Sequence, residues 1–164
     1  MTSNDLDVDA ERHDLLGLFE QAPGFVAFLR GSSLVFDLAN AAYFQLVGHR
    51  EILGKTVREA LPEIEGQGYF ELLDEMYSSG KPFVGRAMRV ELQRERGAPL
   101  TEAFVDLVYQ PIRGRDGKVR GILVQGQDVT ELKKHEAQRE HAEALLRASE
   151  ERYRSLFESI DDGF

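Results

Sequence analysis

The chain has 164 residues, 42% of them hydrophobic and 30% charged, which suits one domain of ordinary size plus a short extension and excludes wholesale disorder. Its 29 acidic against 20 basic residues leave a formal charge of −9, which repels phosphate backbones and argues against nucleic acid as a direct partner. The lack of cysteine excludes disulfides, thiolate nucleophiles, cysteine-ligated metals and thioether-linked cofactors.

The leading residues, Met1 to Arg12, are acidic and polar, with no apolar core behind a basic start. No apolar run approaches the roughly 20 residues needed to cross a bilayer. A cytoplasmic location without direct membrane contact is therefore expected. Between Asp9 and Ala22, Leu15, Leu18 and Phe19 fall at helical spacing, and Pro23-Gly24 stops the pattern. Phe25 to Leu29 and Leu34 to Leu38 are β-prone runs around the turn-like Arg30-Gly31-Ser32-Ser33.

Helix signals follow. Asn40 is suited to cap the segment Ala41 to Val47, and Phe70, Leu73, Met76 and Tyr77 form an i, i+3, i+4 stripe. After Gly80-Lys81-Pro82 come three strands, Phe83 to Arg94, Leu100 to Ile112 and Lys118 to Val129, separated by Glu95-Arg96-Gly97-Ala98 and Gly114-Arg115-Asp116-Gly117. Helices grouped between strand pairs predict an α+β fold with a five-stranded, mainly antiparallel sheet.

Glu131 to Ser159 contains neither Gly nor Pro and is densely charged. Leu132, Ala142, Leu146, Tyr153, Leu156 and Ile160 lie on one heptad seam, interrupted by His135, Arg139 and Ser149. Such a helix has a reason to pair, which predicts a parallel homodimer. The text Leu18-Phe19-Glu20, running on to Phe25, is echoed about one domain later by Leu156-Phe157-Glu158, running on to Phe164. The echo is read as the entrance to a second, similar domain.

The most specific text is Gln110-Pro111-Ile112-Arg113-Gly114-Arg115-Asp116-Gly117, followed by Asp128-Val129-Thr130-Glu131. It resembles the C-terminal signature of PAS domains, in which a Pro-Ile-Arg strand end, an Asp-Gly hairpin and a closing Asp-x-Thr lead into an output helix. Leu38-Ala39-Asn40-Ala41-Ala42-Tyr43, with Val47-Gly48 and Ile52-Leu53-Gly54-Lys55 after it, is similar to the first helices of the same family. The resemblance covers roughly Leu15 to Glu131. It implies a PAS-like sheet with short helices on one face, in a sensor of the kind that precedes a histidine kinase of a two-component system, a cyclase or a further sensory domain. A downstream signalling domain in the same chain is the implied partner. The expected organisation is an acidic segment over 1–14, a PAS-like domain over 15–130, a linker helix or coiled coil over 131–155 and the start of a second domain over 156–164.

At the closing Asp-x-Thr, Asp128 and Thr130 flank a strand-to-helix corner, where side-chain oxygens can satisfy the amides of a first helical turn. These two are the candidate signal-relay residues. Where the flavin-binding branch of the family carries its reactive cysteine, after Gly54-Lys55-Thr56, this chain has Val57. Where haem-binding relatives place an axial histidine, on the helix before the third strand, Gln67 to Ser79 contains none. No cofactor is expected. His49 reads as a solvated turn residue, and His135 and His141 as helix-surface or seam residues. No phosphate loop, metal pair or nucleophilic triad presents itself, so the chain is expected to catalyse nothing.

Aligned on Pro111 with the family, Val105, Leu107 and Tyr109 should face the helices, and alternation adds Met88, Val90 and Leu92 on one neighbour and Ile122 and Val124 on the other. Val26 and Phe28 should join them from the first strand, with Phe70, Leu73 and Met76 closing the wall from the helical side. Such a wall is either a packed core or a pocket for a small apolar ligand, with Tyr109 as its polar handle. The opposite sheet face, with Phe104, Val108 and Leu123, should be covered by the stripe of Leu15, Leu18 and Phe19 or by a partner subunit.

Overall fold

Residues 3–161 are described by a computed structural model, which divides into two compact units after Val129. In the first unit a helix, α1 (Ser3–Gln21), leads into a hairpin of β1 (Phe25–Arg30) and β2 (Val35–Ala39). Three helices, α2 (Ala41–Val47), α3 (Val57–Ala60) and α4 (Tyr69–Ser79), follow, with a 3-10 turn at Pro62–Ile64. The unit closes with three long strands, β3 (Phe83–Leu92), β4 (Thr101–Arg113) and β5 (Val119–Asp128). All pairings are antiparallel and the sheet order is β2-β1-β5-β4-β3, so the α+β architecture is the expected one.

Local chemistry sets these boundaries. The Asn40 side chain accepts a hydrogen bond from the Tyr43 amide and starts α2. Gly48 ends it at φ 87, and a Cβ there would run into the backbone of Arg94, so the position demands glycine twice over. Between β4 and β5, the Lys118 amide donates to Asp116 Oδ1 at 3.1 Å and Gly117 takes φ 78, which closes a tight hairpin. β3 carries a bulge between Gly85 and Met88, where Ala87 sits at φ 47 and its amide donates to Asp106 Oδ1 at 2.7 Å. An exposed edge strand is thereby kinked.

Alternation divides the sheet into two faces. Leu29, Leu92, Val105, Leu107, Ile122 and Val124 are buried beneath the helices, which contribute Val47, Val57, Ala60 and Leu73. On the other face Phe104, Val108 and Leu123 are half-buried and Val84 is exposed. The expected cover from the N-terminal stripe is not formed, because Leu15 and Leu18 are 66% and 70% exposed. α1 also begins at Ser3, not at Asp9. With no Gly or Pro before Gly17 and acidic residues toward its N-terminal end, the segment has every local reason to stay helical.

The second unit is one helix, α5 (Thr130–Asp161), and none of its described side chains is buried. Leu132, Leu146, Tyr153, Leu156 and Ile160 are each more than half exposed, as are Leu145 and Phe157 beside them. Ala142 is exposed too. Residues 162–164, which complete the echo of the N-terminal text, lie outside the described residues.

Candidate functional site

Between the buried sheet face and the helices lies a cavity of about 60 Å³, walled almost entirely by apolar side chains. Of the residues expected there, Leu73, Val90, Leu92, Val105, Leu107, Tyr109 and Val124 border it. Phe70, Met76 and Ile122 are buried in the core but do not reach it. Val26 and Phe28 are a correction: the buried residues of β1 are Phe25, Ala27 and Leu29, so these two point to the opposite sheet face. Both faces of β1 are apolar, so alternation alone could not choose between them. Met88 is a second correction: it keeps the alternation with Val90 and packs against the core, but it is only half-buried and outside the cavity wall, because its side chain lies over Gly85 across the bulge.

Three tyrosines border the cavity, from α2, α4 and β4, and the sequence pattern pointed to only one of them. Tyr69 donates its hydroxyl to the Arg89 carbonyl at 2.7 Å. Burial pushes its pKa above the ordinary phenol value. Burial also raises Tyr43 strongly, against a smaller lowering by the Arg50 guanidinium. Tyr109 is raised most, by burial and then by the neighbouring Tyr43 and Tyr69 hydroxyls. All three therefore remain neutral donors at neutral pH. Val57, in the place of a flavin-reactive cysteine, is buried at the start of α3 and borders the same cavity.

Two polar clusters hold this wall in place, one around Asn40, which the sequence marked only as a helix cap, and one around Arg50, which it did not mark. Asn40 is fully buried and makes four hydrogen bonds. Its Oδ1 accepts from Val26 and Tyr43 amides at 2.9 and 3.1 Å, and its Nδ2 donates to the Phe19 and Gly24 carbonyls at 3.1 and 3.0 Å. One side chain thus joins α1, the entry to β1 and α2. Arg50 forms a two-point pair with Glu63 and also donates to the Val47, Ala60 and Gln93 carbonyls, tying the helical layer to the end of β3. A lone Asn before a helix announces only a cap, and an Arg in a connection and a Glu thirteen residues on in a 3-10 turn announce nothing.

At the far end of the sheet Asp128 is the last residue of β5 and Thr130 the first of α5. The Asp128 carboxylate faces the Arg94 guanidinium at 3.4 Å. Both side chains are over a third exposed, so the pair adds little stability. They border a polar cleft of about 350 Å³ together with Gln45 and Gln127. His49 is exposed in a turn, and His135 and His141 are exposed on α5. Among the described residues no group of three or more acidic, histidine or cysteine side chains is placed to hold a metal ion, and no helix is long and apolar enough to cross a membrane.

Solved structures share this fold. An RNA-binding light-oxygen-voltage receptor superposes with a TM-score of 0.63 at 18% identity, over 90% of this chain and 40% of that one. The Vibrio cholerae VqmA dimer, a LuxR-type receptor, gives 0.56 at 23% identity, over 73% of this chain and 52% of that one. A PAS domain from Colwellia psychrerythraea gives 0.57 at 14% identity, over 74% of this chain and 98% of that one. The chain thus spans less than two thirds of the length of the two receptors and nearly all of an isolated PAS domain. A family model described as PAS fold matches residues 19–134, which takes in the whole sheet, the helices against it and the start of α5. With that match over most of its length, the chain belongs to the PAS fold family.

Proposed function

We propose that this chain is a sensory and dimerisation module of a signal-transduction protein, passing conformational change from its PAS core through the Asp128–Thr130 junction to α5. A downstream signalling domain in the same chain, of the kind found in histidine kinases, is the receiver, and the module itself catalyses nothing. The observation that carries this reading is α5: thirty-two residues of helix whose described side chains include none that is buried, with an apolar seam along their length. A helix of that composition gains from pairing with a copy of itself. In this reading residues 156–164 open a second sensory domain. The charge of −9 is the argument against direct contact with nucleic acid, although relatives of the same fold include an RNA-binding receptor. Sedimentation of the full chain over a range of concentrations tests the reading. A dimer is expected, and a monomer at every concentration refutes it.

A second reading is favoured by the cavity, which makes the domain a receptor for a small apolar ligand. At 100 times its dissociation constant a true ligand adds about 2.7 kcal/mol to stability, which thermal melting detects.

A further inference from the structure

We infer that the cavity beneath the sheet selects a compact, uncharged molecule of roughly four to six non-hydrogen atoms, bearing one hydrogen-bond acceptor held by the Tyr43 and Tyr109 hydroxyls. This deepens the receptor reading and rests on it.

Size comes first. The cavity of about 60 Å³ is far below the roughly 300–1,000 Å³ of ordinary drug and cofactor sites. At roughly 10–15 Å³ for each water-sized centre it admits a molecule of only a few heavy atoms.

Charge comes next. Among the described residues no Lys, Arg, Asp or Glu borders the cavity. The cation that acts on Tyr43 is Arg50, and its donors are committed to Glu63 and to the Val47, Ala60 and Gln93 carbonyls. An anion would enter without a counter-ion, at the high cost of burying an unpaired charge, and a cation would fare no better.

The polar contacts then define the acceptor. Tyr69 spends its hydroxyl on the Arg89 carbonyl. Tyr43 and Tyr109 have no hydrogen-bond partner among the described residues, although both side chains are buried and both border the cavity. Burial keeps both phenols protonated, so each offers an O–H. Two donors opening on one small apolar space call for an atom with two lone pairs between them, as in a ketone, aldehyde or amide carbonyl.

Methyl-detected NMR of the full 164-residue chain, titrated separately with butan-2-one, cyclopentane and butyrate, tests this. Butan-2-one should shift the Leu73, Val105 and Val124 methyl signals saturably. Tyr43→Phe and Tyr109→Phe, which keep the ring and the fold, should each weaken its binding about five- to tenfold, the effect of one lost hydrogen bond. Cyclopentane should bind more weakly than butan-2-one by a similar factor, and butyrate should leave these signals unmoved. Cyclopentane binding as tightly as butan-2-one, or binding indifferent to both Tyr→Phe changes, would overturn the acceptor assignment and leave the receptor reading standing. Saturable butyrate binding would overturn the requirement for an uncharged ligand. Methyl signals unmoved by all three probes would mean that the cavity holds water only, and both the inference and the receptor reading would fall.

Discussion

Arg50 and Glu63 face each other as a fork, with Nη1 to Oε1 and Nη2 to Oε2 both at 2.7 Å and the glutamate side chain only 8% exposed. Glu63 also accepts the Gln93 amide at 3.1 Å, so the pair bridges the 3-10 turn and the end of β3. Arg50→Ala leaves that carboxylate buried without its partner, and a loss of about 3–5 kcal/mol is expected from denaturant unfolding. Arg50→Lys should recover little, because an ammonium cannot reproduce the fork and its carbonyl contacts. The double change to alanine should cost clearly less than the sum of the single ones.

Asn40 is the second fixed point. Asn40→Ala removes two acceptor and two donor contacts at a fully buried site, and about 3–5 kcal/mol of stability should go with them. Asn40→Asp should be no milder. It keeps the acceptor but brings a carboxylate against the Phe19 and Gly24 carbonyls that the amide nitrogen now serves. Urea midpoints of the two variants check both statements.

The faces of β4 give a sharper contrast. Leu107 is 4% exposed, and Leu107→Asp should cost more than about 4 kcal/mol by burying an unpaired charge. Asp106, one residue away on the opposite face, holds the bulge at Ala87. Asp106→Asn keeps an oxygen acceptor for that amide and should cost under about 1 kcal/mol. Equal midpoint shifts for the two variants would show that the strand is assigned to the wrong register.

Three of the five tyrosines, Tyr43, Tyr69 and Tyr109, have hydroxyls whose pKa lies above the unfolded value in the folded chain. Below pH 10 both states keep these protons. As pH rises beyond 10 the unfolded state releases them first, so stability falls, by about 1.4 kcal/mol per pH unit for each of the fully buried Tyr43 and Tyr109 and by less for Tyr69. Tyrosinate absorbance from Tyr43 and Tyr109 should therefore appear together with alkaline unfolding, as followed by circular dichroism, and not before it.

Much of this fold is legible in the sequence because its punctuation is local. Pro23-Gly24, Gly48, Gly80 and the Asp116-Gly117 hairpin each end an element by their own backbone chemistry, and all five strands fall where β-prone runs lie between such breaks. The wall of the cavity is legible on β4 and β5, where one face is uncharged and the other carries Asp106, Gln110 and Gln125. It is illegible on β1, where Phe25, Ala27 and Leu29 alternate with the equally apolar Val26 and Phe28. It is illegible again across the β3 bulge, which rests on a side chain from another strand. Asn40, Arg50 and Glu63 act over distances that no local pattern encodes, so the sequence reveals the cap at Asn40 and hides its role as a clamp.

The central claim is that α5 pairs in parallel along the seam through Leu146. The chain has no cysteine, so a single introduced thiol reports on that pairing without interference. Leu146→Cys lies on the seam, and Ala144→Cys lies on the opposite face of the same helix turn. Under mild oxidation the Leu146→Cys protein should form a disulfide-linked dimer rapidly and at low concentration, while the Ala144→Cys protein stays largely monomeric on a non-reducing gel. Equal and slow crosslinking of both variants would contradict the account.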